Sequence, residues 1–280
     1  MRGDYSMKFH LFKGIRILFL AVFSLMMIYP LYWLITSAFK TNKEFFARPH
    51  SFPTNFSFEN FTRAWEVADL GTAIVNSTIV TITATALTVF LGALTGYVLS
   101  RFMFKLKAFL MVFFLLGMLI PIHSTLVPLF TMMDQIGLLD TYWALILPYT
   151  AFELPIAIFL TVAYMSSIPK ELEEAAVIDG NGYWGIFFRI MLPLSVPALS
   201  TVAILSFLRY WNEFVFALVF INDSTLKTLP LSLSIFSDGF STDYALTMAA
   251  MTIAVIPTIV MYLIFQEQIM KGMVAGSVKG

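Results

Sequence analysis

Charged positions punctuate this chain, and the apolar runs between them have lengths that suit a lipid bilayer. About 20 apolar residues at 1.5 Å each cross a hydrocarbon layer of ~30 Å. Six stretches meet that requirement. The first is the uncharged run Ile17–Phe39, and the second, between Asp69 and Arg101, is 31 residues without a charge. The third lies between Lys107 and Asp134. A fourth begins after Asp140 and ends before Lys170, interrupted by Glu153, and a fifth starts after Arg189 and reaches about Phe220, carrying Arg209 and Glu213. The sixth lies between Asp243 and Glu267. The pattern predicts an all-α integral membrane protein with six transmembrane helices.

Composition narrows the function classes. The chain is 59% hydrophobic and 12% charged, against roughly 45–50% apolar and about 25% charged in soluble domains. It cannot clothe itself in charge, and its 17 basic residues cancel 17 acidic ones, so no net positive field points to nucleic acid. Lipid is the expected solvent. With no cysteine, disulfides, thiolate metal sites and cysteine nucleophiles are excluded. His10, His50 and His123 lack metal-ligand spacing, so no metal site is expected. The first run follows Arg2, Lys8, Lys13 and Arg16 but is longer than the roughly 7–15 residues of a signal-peptide core, which predicts a retained helix.

Lysine and arginine set the expected orientation. With the N-terminus inside, 11 basic residues are cytoplasmic and 5 are outside, while the outer loops hold 9 acids and the inner segments 6. Both termini are then cytoplasmic. The outer loop from Lys40 to Asp69 is rich in Phe, Pro and Asn, and its rings are suited to the membrane surface or to neighbouring loops. Gly92-Ala-Leu-Thr-Gly96 predicts close helix packing. Gly180-Asn-Gly-Tyr-Trp-Gly185 matches a dinucleotide fingerprint as text, but it follows a charged helical stretch rather than a buried strand. No phosphate-loop motif occurs, so energy must come from a gradient or a partner.

The inward loop between the fourth and fifth stretches carries the strongest pattern. Serines ahead of Pro169, acids in a first turn and a stop at Gly180 predict a short amphipathic helix over 169–180. Leu172, Ala175 and Ala176 occupy neighbouring faces, with Glu171, Glu173 and Glu174 expected in water. Pro193 and Pro197 are expected to shape the start of the fifth helix.

Glu174-Ala175-Ala176, three residues, Gly180, nine residues, then Ile190-Met191-Leu192-Pro193 resembles the EAA motif of binding-protein-dependent ABC importer permeases. The outer loop, Tyr210-Trp211-Asn212-Glu213-Phe214 and the ending Lys271–Gly280 are similar to its carbohydrate-uptake, MalG-like branch. The resemblance implies a type I (MetI-like) fold with a transmembrane core over 71–267 and the coupling loop at 166–193, preceded by a 1–70 segment and followed by a cytoplasmic tail at 268–280. It implies a bacterial or archaeal cell membrane. Its partners would be a second related permease, two copies of an ABC ATPase that hold ATP and Mg, an external solute-binding protein, a sugar and lipid. No cofactor is expected in this chain, which would be a transporter subunit and not an enzyme. Glu173, Glu174, Ala175, Ala176, Gly180, Ile190, Leu192 and Pro193 would couple it to the ATPase.

Ionisable groups inside spans are costly and mark functional positions. Glu153 and Arg209 fall at similar depth. Glu153, Arg209, Asn212 and Glu213, with Asn76 as a weaker candidate, are expected to line a polar path for sugar hydroxyls, which need partners once water is removed. An internal Glu153–Arg209 ion pair and a packing role for Asn76 are equally open. A gradient-driven carrier using Glu153, Arg209 and Glu213 is the alternative, and an integral-membrane enzyme lacks a catalytic constellation.

Overall fold

The computed structural model describes the backbone over residues 2–237 and 243–277, with side chains over 12–236 and 243–267. The side chains of Arg2, Asp4, Lys8, His10 and of the 268–280 tail, and residues Asp238 and Lys279 altogether, lie outside what is described. The chain divides into two compact units, Met1–Asp69 with Ile235–Ile256, and Leu70–Ser234 with Pro257–Gly280.

The first unit holds α1 (Arg2–Ala38), α2 (Asn42–Ala47) and α3 (Glu59–Val67). In the apolar window of α1 no residue is buried by protein, as expected of a helix whose solvent is lipid. Much of the 40–69 loop packs on itself and on the residues that follow α1. Phe39 meets Phe56, Phe58 and Phe61 at ring separations of 5.0–5.3 Å, and the Asn60 amide donates to the carbonyls of Ala38 and Lys40. Arg63 pairs with Asp243 at 3.2 Å. Lys40 departs from its expected place as a loop charge. It is 1% exposed, its ammonium donates to the carbonyls of Arg48 and Pro49 at 3.1 and 2.9 Å, and desolvation lowers its pKa.

The second unit is built on α4 (Leu70–Arg101), followed by α5 (Lys107–Gly117), α6 (Leu126–Gln135) and α7 (Trp143–Met165). Then come α8 (Glu171–Ile178), α9 (Tyr183–Ile186), α10 (Leu192–Leu194), α11 (Val196–Trp211), α12 (Val215–Phe220) and α13 (Leu229–Leu233). The last helix, α14 (Tyr244–Ser277), begins in the first unit and continues into the second. Helices α4 and α7 touch where the glycine pattern requires it. A Cβ on Gly92 would stand 3.0 Å from Ala157 Cβ, and one on Gly96 only 2.6 Å from Thr161 Cγ2. Two apolar clusters fill the unit, one around Tyr149, Tyr210, Phe216 and Phe220, the other around Tyr97, Met165, Phe187 and Met191.

All six apolar stretches are helical, but two are broken. Phe12–Ala38, Leu70–Arg101, Trp143–Met165 and Tyr244–Glu267 are continuous helices long enough to cross a bilayer. The third stretch bends by 93° between Lys107–Gly117 and Ile122–Gln135, where Pro121 supplies no backbone donor. The fifth bends by 73° between Tyr183–Leu194 and Val196–Trp211, flanked by Pro193 and Pro197. Its bounds also differ from expectation. It begins at Tyr183 and ends at Trp211, and the residues up to Phe220 form the separate helix α12.

Candidate functional site

The loop between α7 and α11 is assembled from local signals. The serines expected to start its helix instead finish α7, Ser167 Oγ donating to the Tyr164 carbonyl at 2.7 Å. Helix α8 begins at Glu171, with the amides of Glu173 and Glu174 donating to the Lys170 carbonyl. Acids at 171, 173 and 174 then sit at the positive end of the helix. At the other end Gly180 adopts φ +80°, and Asn181 N closes back on the Ala176 carbonyl at 2.9 Å, a turn that favours glycine. Beyond it a π-type turn, Phe187–Met191, carries the chain to Leu192.

Motif residues divide by burial. Ala176 is 3% exposed and packs with Tyr97, Met165, Ile186 and Phe187, and Ile190 and Leu192 lie against the same cluster. Glu174, Ala175 and Gly180 face outward, as does Pro193. Beside them Leu172, Val177 and Ile178 are exposed, Ile178 at 85%.

Glu173 is not the water-facing acid that its position suggested. Its side chain is 17% exposed and Oε1 lies 2.5 Å from Nε of Arg101, itself 5% exposed. The contact is one of charge and distance rather than an aligned hydrogen bond. Burial raises the Glu173 pKa, opposed by the Arg101 charge. The same guanidinium donates to the Ile168 carbonyl at 2.8 Å and approaches the Met191 sulfur at 3.8 Å.

Elsewhere in the second unit, the polar residues expected along the path take distinct places. Glu153, near the middle of α7, and Arg209 on α11 form an ion pair of 2.5 Å, with the carboxylate 5% exposed and the guanidinium 56% exposed. Glu213 follows α11, accepts from Tyr149 Oη at 2.5 Å and caps α12 through the amides of Phe216 and Ala217. Asn212 is exposed and returns its amide to the Leu208 carbonyl. Asn76 bonds elsewhere. Its amide donates to the carbonyls of Thr225 and Lys227, and its oxygen accepts from Tyr142 Oη, so it ties α4 to the segment before α13.

Sequence reasoning gave no site role to Tyr149, Thr88 or Arg101, and none to Tyr210 beyond its place in the 210–214 resemblance. Tyr149 and Tyr210 stack at 5.3 Å, and Tyr210 Oη donates to the Tyr149 carbonyl and bonds Thr88 Oγ1 at 2.8 Å. A hydroxyl in an apolar span is one signal for such a link, since it needs a partner there. A separate open groove of about 220 Å³ lies along Thr85, Ser200, Ile204, Phe207, Met261 and Phe265, and none of the predicted path residues lines it.

Residues 88–274 match the family described as binding-protein-dependent transport system inner membrane component. The chain belongs to that family. It is 44% identical over 262 residues to the probable ABC transporter permease protein YurM of Bacillus subtilis, covering 94% of this chain and 87% of that one. It is 36% identical over 269 residues to the diacetylchitobiose uptake system permease protein NgcG of Streptomyces coelicolor (95% and 87% covered). Over 256 residues it is 34% identical to the trehalose/maltose transport system permease protein MalG of Thermococcus litoralis (90% and 92% covered). A crystal structure of a bacterial ABC transporter involved in import of the acidic polysaccharide alginate shares the fold, with a TM-score of 0.82, 21% identity and 92% and 96% of the two chains covered. Among the described residues this permease is all-helical, and the loop that carries α8 lies between α7 and α11.

Proposed function

We propose that this permease forms half of the translocation path of an ATP-driven, binding-protein-dependent importer of a sugar or oligosaccharide. The other half would be a second, related permease. Two ATPases carrying ATP and Mg would bind its cytoplasmic side, an external solute-binding protein would deliver substrate, and both termini would be cytoplasmic in the cell membrane. The observation that carries this reading is α8. Ala176 anchors it, while Glu174, Ala175 and Ile178 stand outward, an acidic and apolar face fit to dock on another subunit. Relatives named for diacetylchitobiose, trehalose/maltose and melibiose/raffinose/stachyose uptake support the sugar class.

Within the membrane, Glu153 and Arg209 form the polar element of the path. Their pairing leaves one guanidinium edge open to a passing hydroxyl. The mutual neutralisation favours uncharged saccharides, since an anionic one would compete with Glu153 for Arg209. The test is reconstitution of the full transporter in vesicles with its binding protein and a panel of maltose, melibiose, raffinose and diacetylchitobiose. Uptake of one of these that requires ATP and the ATPase supports the reading. Uptake that persists on an ion gradient without ATP supports the carrier instead.

A further inference from the structure

Arg101 closes α4 and gathers three segments that are distant in sequence: the Ile168 carbonyl after α7, Glu173 on α8 and the Met191 sulfur in the π-type turn before α11. Its guanidinium is almost fully buried, an environment in which a cation requires paired acceptors. Helix α8 needs such a fixture. It is only 8 residues long and has no side-chain cap at its N-terminus. Isolated helices of that length are marginal in water. Within the four turns before Arg101, α4 is fastened to neighbouring helices, by Gly92 and Gly96 against α7 and by Thr88 to Tyr210 of α11.

We infer that Arg101 is a positioning residue that clamps the coupling helix to α4 through Glu173, so that a push on α8 displaces α4, α7 and α11 together. The inference rests on the importer reading for the source of that push. It changes the part assigned to Glu173, whose charge is engaged inside its own subunit, and leaves Glu174 as the acid that faces a partner. Rigid transmission of this kind needs a stiff link between the short helix and the spans. The guanidinium can supply it because one nitrogen is fixed on the Ile168 carbonyl while its charge lies against Glu173.

The experiment uses the complete transporter in vesicles, with whichever sugar of the panel the unaltered complex imports, and reads sugar imported per ATP hydrolysed. Glu173→Gln removes the charge without leaving a buried carboxylate, and Arg101→Gln removes the other partner. Both variants are expected to co-purify with the ATPases and to hydrolyse ATP, while sugar per ATP falls at least about fivefold. Arg101→Glu combined with Glu173→Arg is expected to recover most of the ratio. If Arg101→Gln does not fold, Glu173→Gln alone decides, because a wild-type ratio in that variant overturns the clamp. Loss of ATPase association from Glu173→Gln also overturns it, since Glu173 would then be a docking residue. An unaltered complex that imports no sugar with ATP would sink the importer reading itself, a result distinct from either of these.

Discussion

Glu153 and Arg209 meet at 2.5 Å with very unequal surroundings, the carboxylate 5% and the guanidinium 56% exposed. Removing the arginine therefore strands a buried charge, whereas removing the acid frees an arginine that still reaches its outer surroundings. Arg209→Met should destabilise the protein more than Glu153→Gln, by up to about 3 kcal/mol, read as a lower unfolding temperature in detergent. The double exchange Glu153→Arg with Arg209→Glu separates pairing from recognition. Recovered stability with altered sugar preference is expected, and recovery of wild-type uptake and preference would remove these groups from substrate contact.

Gly96 has no room for a side chain. Even the Cβ of alanine would stand 2.6 Å from Thr161 Cγ2, and Thr161 is held by its own bond to the Ala157 carbonyl at 2.7 Å. Gly96→Ala should cost about 1–3 kcal/mol, as overpacking does. Gly92→Ala, meeting Ala157 Cβ at 3.0 Å, should cost less, and thermal unfolding of the two variants ranks them.

Gly180 is constrained by its backbone, not by space. It has φ +80° and nothing within 4 Å of where a Cβ would be. Gly180→Val should strain the turn by about 1–2 kcal/mol, whereas Gly180→Asn, which tolerates that conformation, should retain most sugar imported per ATP. Equal losses in both variants would mean that the side chain blocks a partner surface.

Asp140 should give the loop before α7 a pH dependence. Its carboxylate accepts from the amides of Asn222 and Asp223 at 2.5 and 2.9 Å, which lowers its pKa. The stability it contributes is therefore complete above the ordinary carboxylate pKa and is lost as pH falls through the lowered folded value. Hydrogen exchange at Asn222 and Asp223 should quicken across that acidic range, and Asp140→Asn should abolish the dependence.

The parts of this molecule legible in its sequence are those fixed by local chemistry. Charges at Asp69, Arg101 and Asp243 bound apolar runs, and the Pro169 to Gly180 signals mark the short helix α8, because each is a local signal. The small-residue pattern at Gly92 and Gly96 likewise pointed to packing, though not to Ala157 and Thr161 as the residues it meets. Pairings between spans were not legible. Arg101 reaches a carbonyl 67 residues away, and as a lone charge at a helix end it reads only as a boundary. Pro193 and Pro197 were expected to shape the start of the fifth helix, but the break near Pro121 was hidden for another reason, since proline is tolerated within membrane helices such as α7, which continues through Pro148 and Pro155.

Because the chain has no cysteine, single-cysteine cross-linking tests the coupling surface directly. Ala175→Cys and Ile178→Cys place a thiol on the outward side of α8, while Ala176→Cys places one in the buried cluster. With a bifunctional thiol-to-amine reagent in the assembled transporter, an adduct to the ATPase is predicted from positions 175 and 178 and none from 176. Absence of an ATPase adduct at both 175 and 178, in a complex that still imports sugar, would contradict the role assigned to this helix.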